Sequence, residues 1–110
     1  MIEVIVRNYL KEKLSIPVRL EKPTSQLEEY ILIEKVGSGN ENHIHTATIA
    51  IQSISTTLYK AAVLNEKIKK EMEAMPYETE VSKAKLNNDY NYTDATTKEY
   101  RYQAVYDLVY

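Results

Sequence analysis

KEYRYQAVYDLVY, residues 98–110, alternates strictly: Tyr100, Tyr102, Ala104, Tyr106, Leu108 and Tyr110 fall on one face, Arg101, Gln103, Val105, Asp107 and Val109 on the other. A period of two with one apolar, tyrosine-rich face marks a half-buried β-strand. Chain ends fray unless they are docked, so this segment predicts a last strand tied into a sheet. The tyrosine face is expected to pack under helices, because aromatic side chains suit a pleated, half-buried surface. Val105 and Val109, on a face that is not plainly polar, are then candidates for a subunit contact.

Working back from that strand, residues 91–97 predict a turn and residues 81–90 a strand, with Ala84 and Leu86 on one side and Lys83 and Lys85 on the other. Before it, Leu58, Ala61, Ala62, Asn65, Ile68, Lys69 and Met72 trace a helical stripe that starts after the capping residues Ser55 and Thr56. It is expected to close near Met75, at Pro76. ATIAIQSI, residues 47–54, alternates again, placing Ala47, Ile49 and Ile51 opposite Thr48, Ala50 and Gln52. YILIEKV, residues 30–36, reads as a central strand that stops at Gly37-Ser-Gly39, with residues 40–45 as a polar loop, so the two strands form a hairpin. Residues 18–20 predict a short strand, and residues 21–29 a polar turn with Pro23. Ile2, Ile5, Val6, Tyr9, Leu10 and Leu14 recur at helical spacing and predict a first amphipathic helix ended by residues 15–17. The order is α-β-β-β-α-β-β. Short connections between neighbouring strands imply a mainly antiparallel sheet with two helices packed on one face, an α+β sandwich of two layers.

At 110 residues the chain is the size of one domain, expected to span 1–110. Fourteen basic and sixteen acidic residues give a net charge of −2, which excludes a general electrostatic grip on nucleic acid. There is no cysteine, so disulfides, thiol catalysis and Cys-based zinc sites are excluded. The N-terminal MIEVIVRNYL contains Glu3 and too short an apolar run for a signal peptide or a membrane span, and the expectation is folding in cytoplasm. All ten aromatic residues are tyrosine, which suits partly wet faces and interfaces.

Several residue sets invite a chemical reading. His43 and His45, two apart, would point the same way in a strand as a metal pair requires, with Glu41 or Asp89 as conceivable third ligands; no spacing selects one, and solvated loop residues are the expectation. Asp89, Asn91, Thr93 and Asp94 place oxygen ligands as a calcium loop opens, but the turn glycine position holds Asp94 and the bidentate glutamate position holds Tyr100. A polar turn with Asx hydrogen bonding is expected instead. Asn91-Tyr92-Thr93 fits a glycosylation sequon, which needs a secretion signal to be used. Gly37-Ser-Gly39 lacks the lysine and following helix of a phosphate loop and reads as a flexible hairpin tip. Ser53 and Ser55 have no histidine in a triad arrangement, and Glu28 and Glu29, adjacent, point apart. A tyrosine stacking platform for bases would need cations beside the stripe, and Arg101 points to the opposite face. No catalytic, cofactor or metal set survives, so the expectation is a protein that is not an enzyme.

The runs YILIEKVGSGNEN, TATIAIQSISTTLYKAAVLNEKIKKEM and VSKAKLNNDYNYTDATTKEYRYQAVYDLVY together resemble the tail terminator (tail completion) proteins of lambda-like, long-tailed bacteriophages and prophages of Gram-positive bacteria. The resemblance covers nearly the whole chain. Its recognisable pieces are the "ILIEK" strand, the "AIQS" strand leading into the "LYKAA" helix, and the closing "YRYQAVYDLV" strand. It implies a small structural protein that forms a homo-hexameric ring on the head-proximal end of the virion's tail tube. There such a ring stops polymerisation of the major tail-tube protein and meets the head-tail connector proteins, while phage DNA passes through. A ring closes through heterologous contacts, and a neutral or acidic lumen lets DNA pass without sticking. The polar loops 37–45 and 87–98 are the expected contact regions, with Gly37, Asn40, Glu41, Asn42, His43, Asp89, Asn91 and Asp94 in them. The alternatives are another head-tail joining protein, a head-completion stopper or adaptor, and, from a different class, a small enzyme or nucleic-acid module using the histidines and tyrosines.

Overall fold

The computed structural model describes residues 1–97 and 99–110. Its elements are α1 (Ile2–Leu14), β1 (Val18–Arg19), β2 (Tyr30–Glu41), β3 (Ile44–Ser55), α2 (Leu58–Glu78), β4 (Lys83–Asn91) and β5 (Tyr100–Val109). The strands form one sheet in the order β1-β2-β3-β5-β4. Every neighbouring pair is antiparallel except β1 with β2. This is the α+β fold with the order α-β-β-β-α-β-β expected above.

Alternation along the strands divides the side chains between two faces. Ile31 and Ile33 of β2, Ala47, Ile49 and Ile51 of β3, and Ala104, Tyr106 and Leu108 of β5 enter one buried core. Val6, Tyr9 and Leu10 of α1 and Leu64, Ile68, Met72 and Met75 of α2 meet them there, so both helices cover the same face. The tyrosine stripe packs as expected at its centre. At its end Tyr110 is exposed and stacks on His45 instead, with ring centroids 5.8 Å apart.

Three boundaries differ from the sequence reading. Gly37-Ser-Gly39 does not end β2, which runs on to Glu41, while β3 begins at Ile44. Neither glycine takes a positive φ; the hairpin turns instead on Asn42 and His43, with φ of 52° and 66°. Two successive left-handed residues are what a tight hairpin turn needs to match the right-handed twist of its strands, and asparagine tolerates that region better than most residues. Gly39 serves close approach, since a Cβ there would sit 2.9 Å from Thr46 Oγ1.

Pro76 does not close α2, which continues to Glu78. A proline removes one N–H, normally bonded to the carbonyl four residues back, and here tertiary contacts hold the last turn. Met72 and Met75 are buried, Glu78 pairs with Lys13, and the Tyr9 hydroxyl donates to the Glu71 carbonyl at 2.7 Å. Thr79 then caps the end, its N–H and hydroxyl both donating to the Met75 carbonyl.

The third difference is in β4, which spans Lys83–Asn91 rather than 81–90. Ala84 and Leu86 do lie opposite Lys83 and Lys85, and a bulge between Leu86 and Asn88 then changes the phase. An extra residue in one strand shifts every later side chain to the other face. Asp89 therefore points toward α2.

Candidate functional site

The exposed hairpin formed by β2 and β3 gathers the first group of expected contact residues. Gly37, Asn40 and Glu41 lie in β2, and Asn42 and His43 form its turn. From position 36 to position 46 every residue is exposed, whichever face it points to. The arm carries two large apolar side chains, Val36 at 57% and Ile44 at 51% exposure. Apolar side chains held out on a paired element gain by meeting another surface, at roughly 25 cal/mol per Å² covered. The expected flexible tip at Gly37–Gly39 and polar loop at residues 40–45 are together an extended arm, hydrogen-bonded as far as the Glu41–Ile44 pair. His43 sits in its turn and His45 in the strand against Tyr110, so the two do not act as a strand pair.

The second group separates into residues that are engaged within the fold and residues that are not. Asp89 belongs to β4, not to a loop, and is half-buried. Its Oδ2 accepts from Asn65 Nδ2 at 2.9 Å and from Lys69 Nζ at 3.0 Å, tying β4 to α2. Asn91 closes the strand, and its Oδ1 accepts from the Thr93 N–H and hydroxyl. Asp94 Oδ1 accepts from the Thr96 N–H at 2.9 Å and hydroxyl at 2.6 Å. The hydroxyl of Thr96, followed by backbone donors, holds the Asp94 carboxyl below its ordinary pKa. These are the Asx-type turn bonds expected of the connection between β4 and β5. Lys98, the last residue of the predicted 87–98 loop, lies outside the described residues.

The sheet face away from the helices is lined by a directed polar chain. Arg101 donates to Gln52 Oε1, Gln52 Nε2 donates to Gln103 Oε1 at 3.0 Å, and Gln103 Nε2 donates to the Tyr90 hydroxyl at 2.6 Å. Gln52 and Gln103 are buried although both helices pack on the opposite face. Buried amides are costly unless bonded, and each of these gives and receives. Thr48 and Asn87 both donate to the Asp107 carboxylate, at 2.9 and 3.0 Å. Arg101 lies over the Tyr92 ring, 5.3 Å from its centroid, with Glu99 and Asp94 at 3.6 and 3.7 Å. Val105 and Val109 lie on this face, half-buried; Val105 sits between Ala50 and Asn88, and Val109 between Thr46 and Lys83. Val105 is therefore largely sheltered by its own sheet, whereas Val109 stands beside the arm.

Sequence reasoning missed the two sheet edges. β4 is the last strand of the sheet, and β1 covers β2 only at Ile31 and Leu32. The lysines of β4 were the available signal, because exposed edges are often guarded by lysine. No group of three or more His, Cys, Asp or Glu that could hold a metal ion occurs among the described residues. No helix among them is long and apolar enough to cross a membrane.

No protein-family model matches the chain, and no curated protein is similar enough to count as a relative.

Proposed function

We propose that the chain is a tail terminator of a long-tailed bacteriophage or prophage: a structural protein that caps the head-proximal end of the tail tube as a ring, ends tube growth and joins tail to head. The observation that carries this reading is the arm of residues 36–46, exposed on both faces and bearing Val36 and Ile44. The sequence resemblance, which runs through nearly the whole chain, supports it. In this account Gly37, Asn40, Glu41, Asn42 and His43 meet the last ring of tube protein or a neighbouring subunit. A hairpin already paired as far as the Glu41–Ile44 pair presents its side chains in a defined arrangement, so less conformational entropy is lost on docking than for an unpaired loop. The ring would be a homo-hexamer in the virion tail, assembled in the host cytoplasm. The net charge of −2 fits a channel that passes DNA without retaining it.

The test is partner choice. Purified protein is mixed separately with tail tubes assembled from the major tube protein and with tail-less heads, and inspected by negative-stain electron microscopy. Density seated at one end of the tubes is expected. Binding to heads and not to tubes would replace the terminator by a stopper or adaptor of the head.

A further inference from the structure

The two open edges of the sheet match each other in length, direction and charge. Beyond its two-residue pairing with β1, the stretch 33–41 of β2 has no strand on its outer side among the described residues, and β4, 9 residues long, is just as long. Following the antiparallel steps from β2 through β3 and β5, β4 runs opposite to β2. A copy placed beside another in the same orientation therefore brings β4 antiparallel to its neighbour's β2. The register also puts Lys83 and Lys85 of β4 on the same sheet face as Glu34 and Glu41 of β2. All four are exposed, and none makes an ion pair among the described residues. On the other face, a groove between α2 and β4 has an apolar floor of Ala84, Leu86 and Tyr106. Leu86 is still 36% exposed there.

We propose that β4 of one copy pairs antiparallel with residues 33–41 of β2 in a second copy, joining copies head to tail into one continuous sheet. The inference rests on the ring reading above for its partner. Main-chain hydrogen bonds supply the affinity of such strand addition, and side chains at alternate positions supply its specificity. Lys83 and Lys85 meet Glu34 and Glu41 across the seam, and the neighbour's strand covers Leu86. The lysines and the bulge at Asn87 deter indiscriminate pairing, as guarded edges do, while the glutamates select the right partner edge. Because β4 and β2 are different surfaces, the contact is heterologous and propagates until the copies close on themselves.

Two charge-reversed chains test this. K83E/K85E has acidic edges on both sides, and E34K/E41K has basic edges on both sides. Each alone is expected to self-associate at least about tenfold more weakly than the wild type, since two attractive cross-strand pairs become repulsive. Mixed in equal amounts, they are expected to recover wild-type association, alternating around the assembly. Sedimentation velocity reads the association, and unchanged melting temperatures confirm that both variants fold. Zero-length carbodiimide coupling of mixed isotope-labelled and unlabelled wild-type chains should join Lys83 or Lys85 of one to Glu34 or Glu41 of another. The proposal is overturned if either variant alone associates like the wild type, if the mixture gains nothing, if intermolecular cross-links map elsewhere, or if the wild type stays monomeric at its highest soluble concentration. Cross-links elsewhere in rings that still seat on tail tubes would remove the edge pairing and leave the tail reading standing. Edge-paired assemblies that ignore tubes would support the pairing and remove the tail reading.

Discussion

Replacing Asp89 by alanine should cost stability, while the same change at Asp94 should cost little, although the sequence presents the two as similar loop acids. Asp89 Oδ2 is the acceptor for Asn65 Nδ2, and Asn65 is 1% exposed, so its amide has no recourse to bulk water. Leaving a buried donor unsatisfied costs about 1–3 kcal/mol. The pair with Lys69, at 3.0 Å and about one quarter exposed on both sides, adds about 0.2–1 kcal/mol once solvent screening is allowed for. The sum for Asp89→Ala is about 1–4 kcal/mol. For a domain of this size it lowers Tm by several degrees for each kcal/mol, roughly 5–20 °C in all. Asp89→Asn keeps an oxygen for the Asn65 amide and loses only the ion pair, so it should cost less than about 1 kcal/mol. Asp94 accepts its hydrogen bonds from Thr96 within an exposed turn, and Asp94→Ala should leave the urea midpoint close to that of the wild type. Urea unfolding of the three variants, with m-values compared to confirm two-state behaviour, gives the ordering directly. An Asp89→Ala cost below about 0.5 kcal/mol, or one matched by Asp94→Ala, would refute the assignment of Asp89 to the α2–β4 seam.

Three further outcomes follow from single features. His43→Gly should stabilise the arm by roughly 0.5–1 kcal/mol, read as a raised urea midpoint, because His43 occupies a left-handed conformation that costs a side-chain-bearing residue. Met72→Ala, at a fully buried position between α2 and the sheet, should cost about 2–5 kcal/mol through lost burial and the cavity left behind. Acidification should loosen the turn between β4 and β5: the folded-state pKa of Asp94 is depressed, so its contribution is present above the unfolded value near about 3.9 and is lost as pH falls through the folded one. The protection of the Thr96 amide, its exchange rate compared with the intrinsic rate at each pH, should then fall below that range, and a protection unchanged by acid would contradict the assigned hydrogen bonds.

The fold was legible where a single period governs a segment. Alternation placed Ala47, Ile49, Ile51, Ala104 and Leu108 on the buried face, and helical spacing placed Val6, Leu10, Ile68 and Met72 against them. What escaped were features decided by partners far along the chain. Gly37-Ser-Gly39 carries the strongest turn signal in its region, yet the strand passes through it because β3 pairs with it and Asn42-His43 supplies the turn. Gln52 and Gln103 fall on the strand faces opposite the expected core, and their pairing across β3 and β5 accounts for their burial there. Asp89 changed role because one bulged residue turned it toward Asn65. Of the candidate contact residues, the arm group came out together and exposed, whereas Asp89, Asn91 and Asp94 are occupied by bonds within the fold. The free edges left no sequence mark beyond the alternating Lys83 and Lys85, since openness of an edge depends on strand order.

The central claim concerns where tube growth stops, and particle morphology reads it directly. Deleting the gene from a phage or inducible prophage that encodes it, then measuring tails by electron microscopy, should give detached tails of uncontrolled length, with normal length restored by supplying the wild-type chain in trans. Normal-length tails attached to heads in its absence would contradict the account.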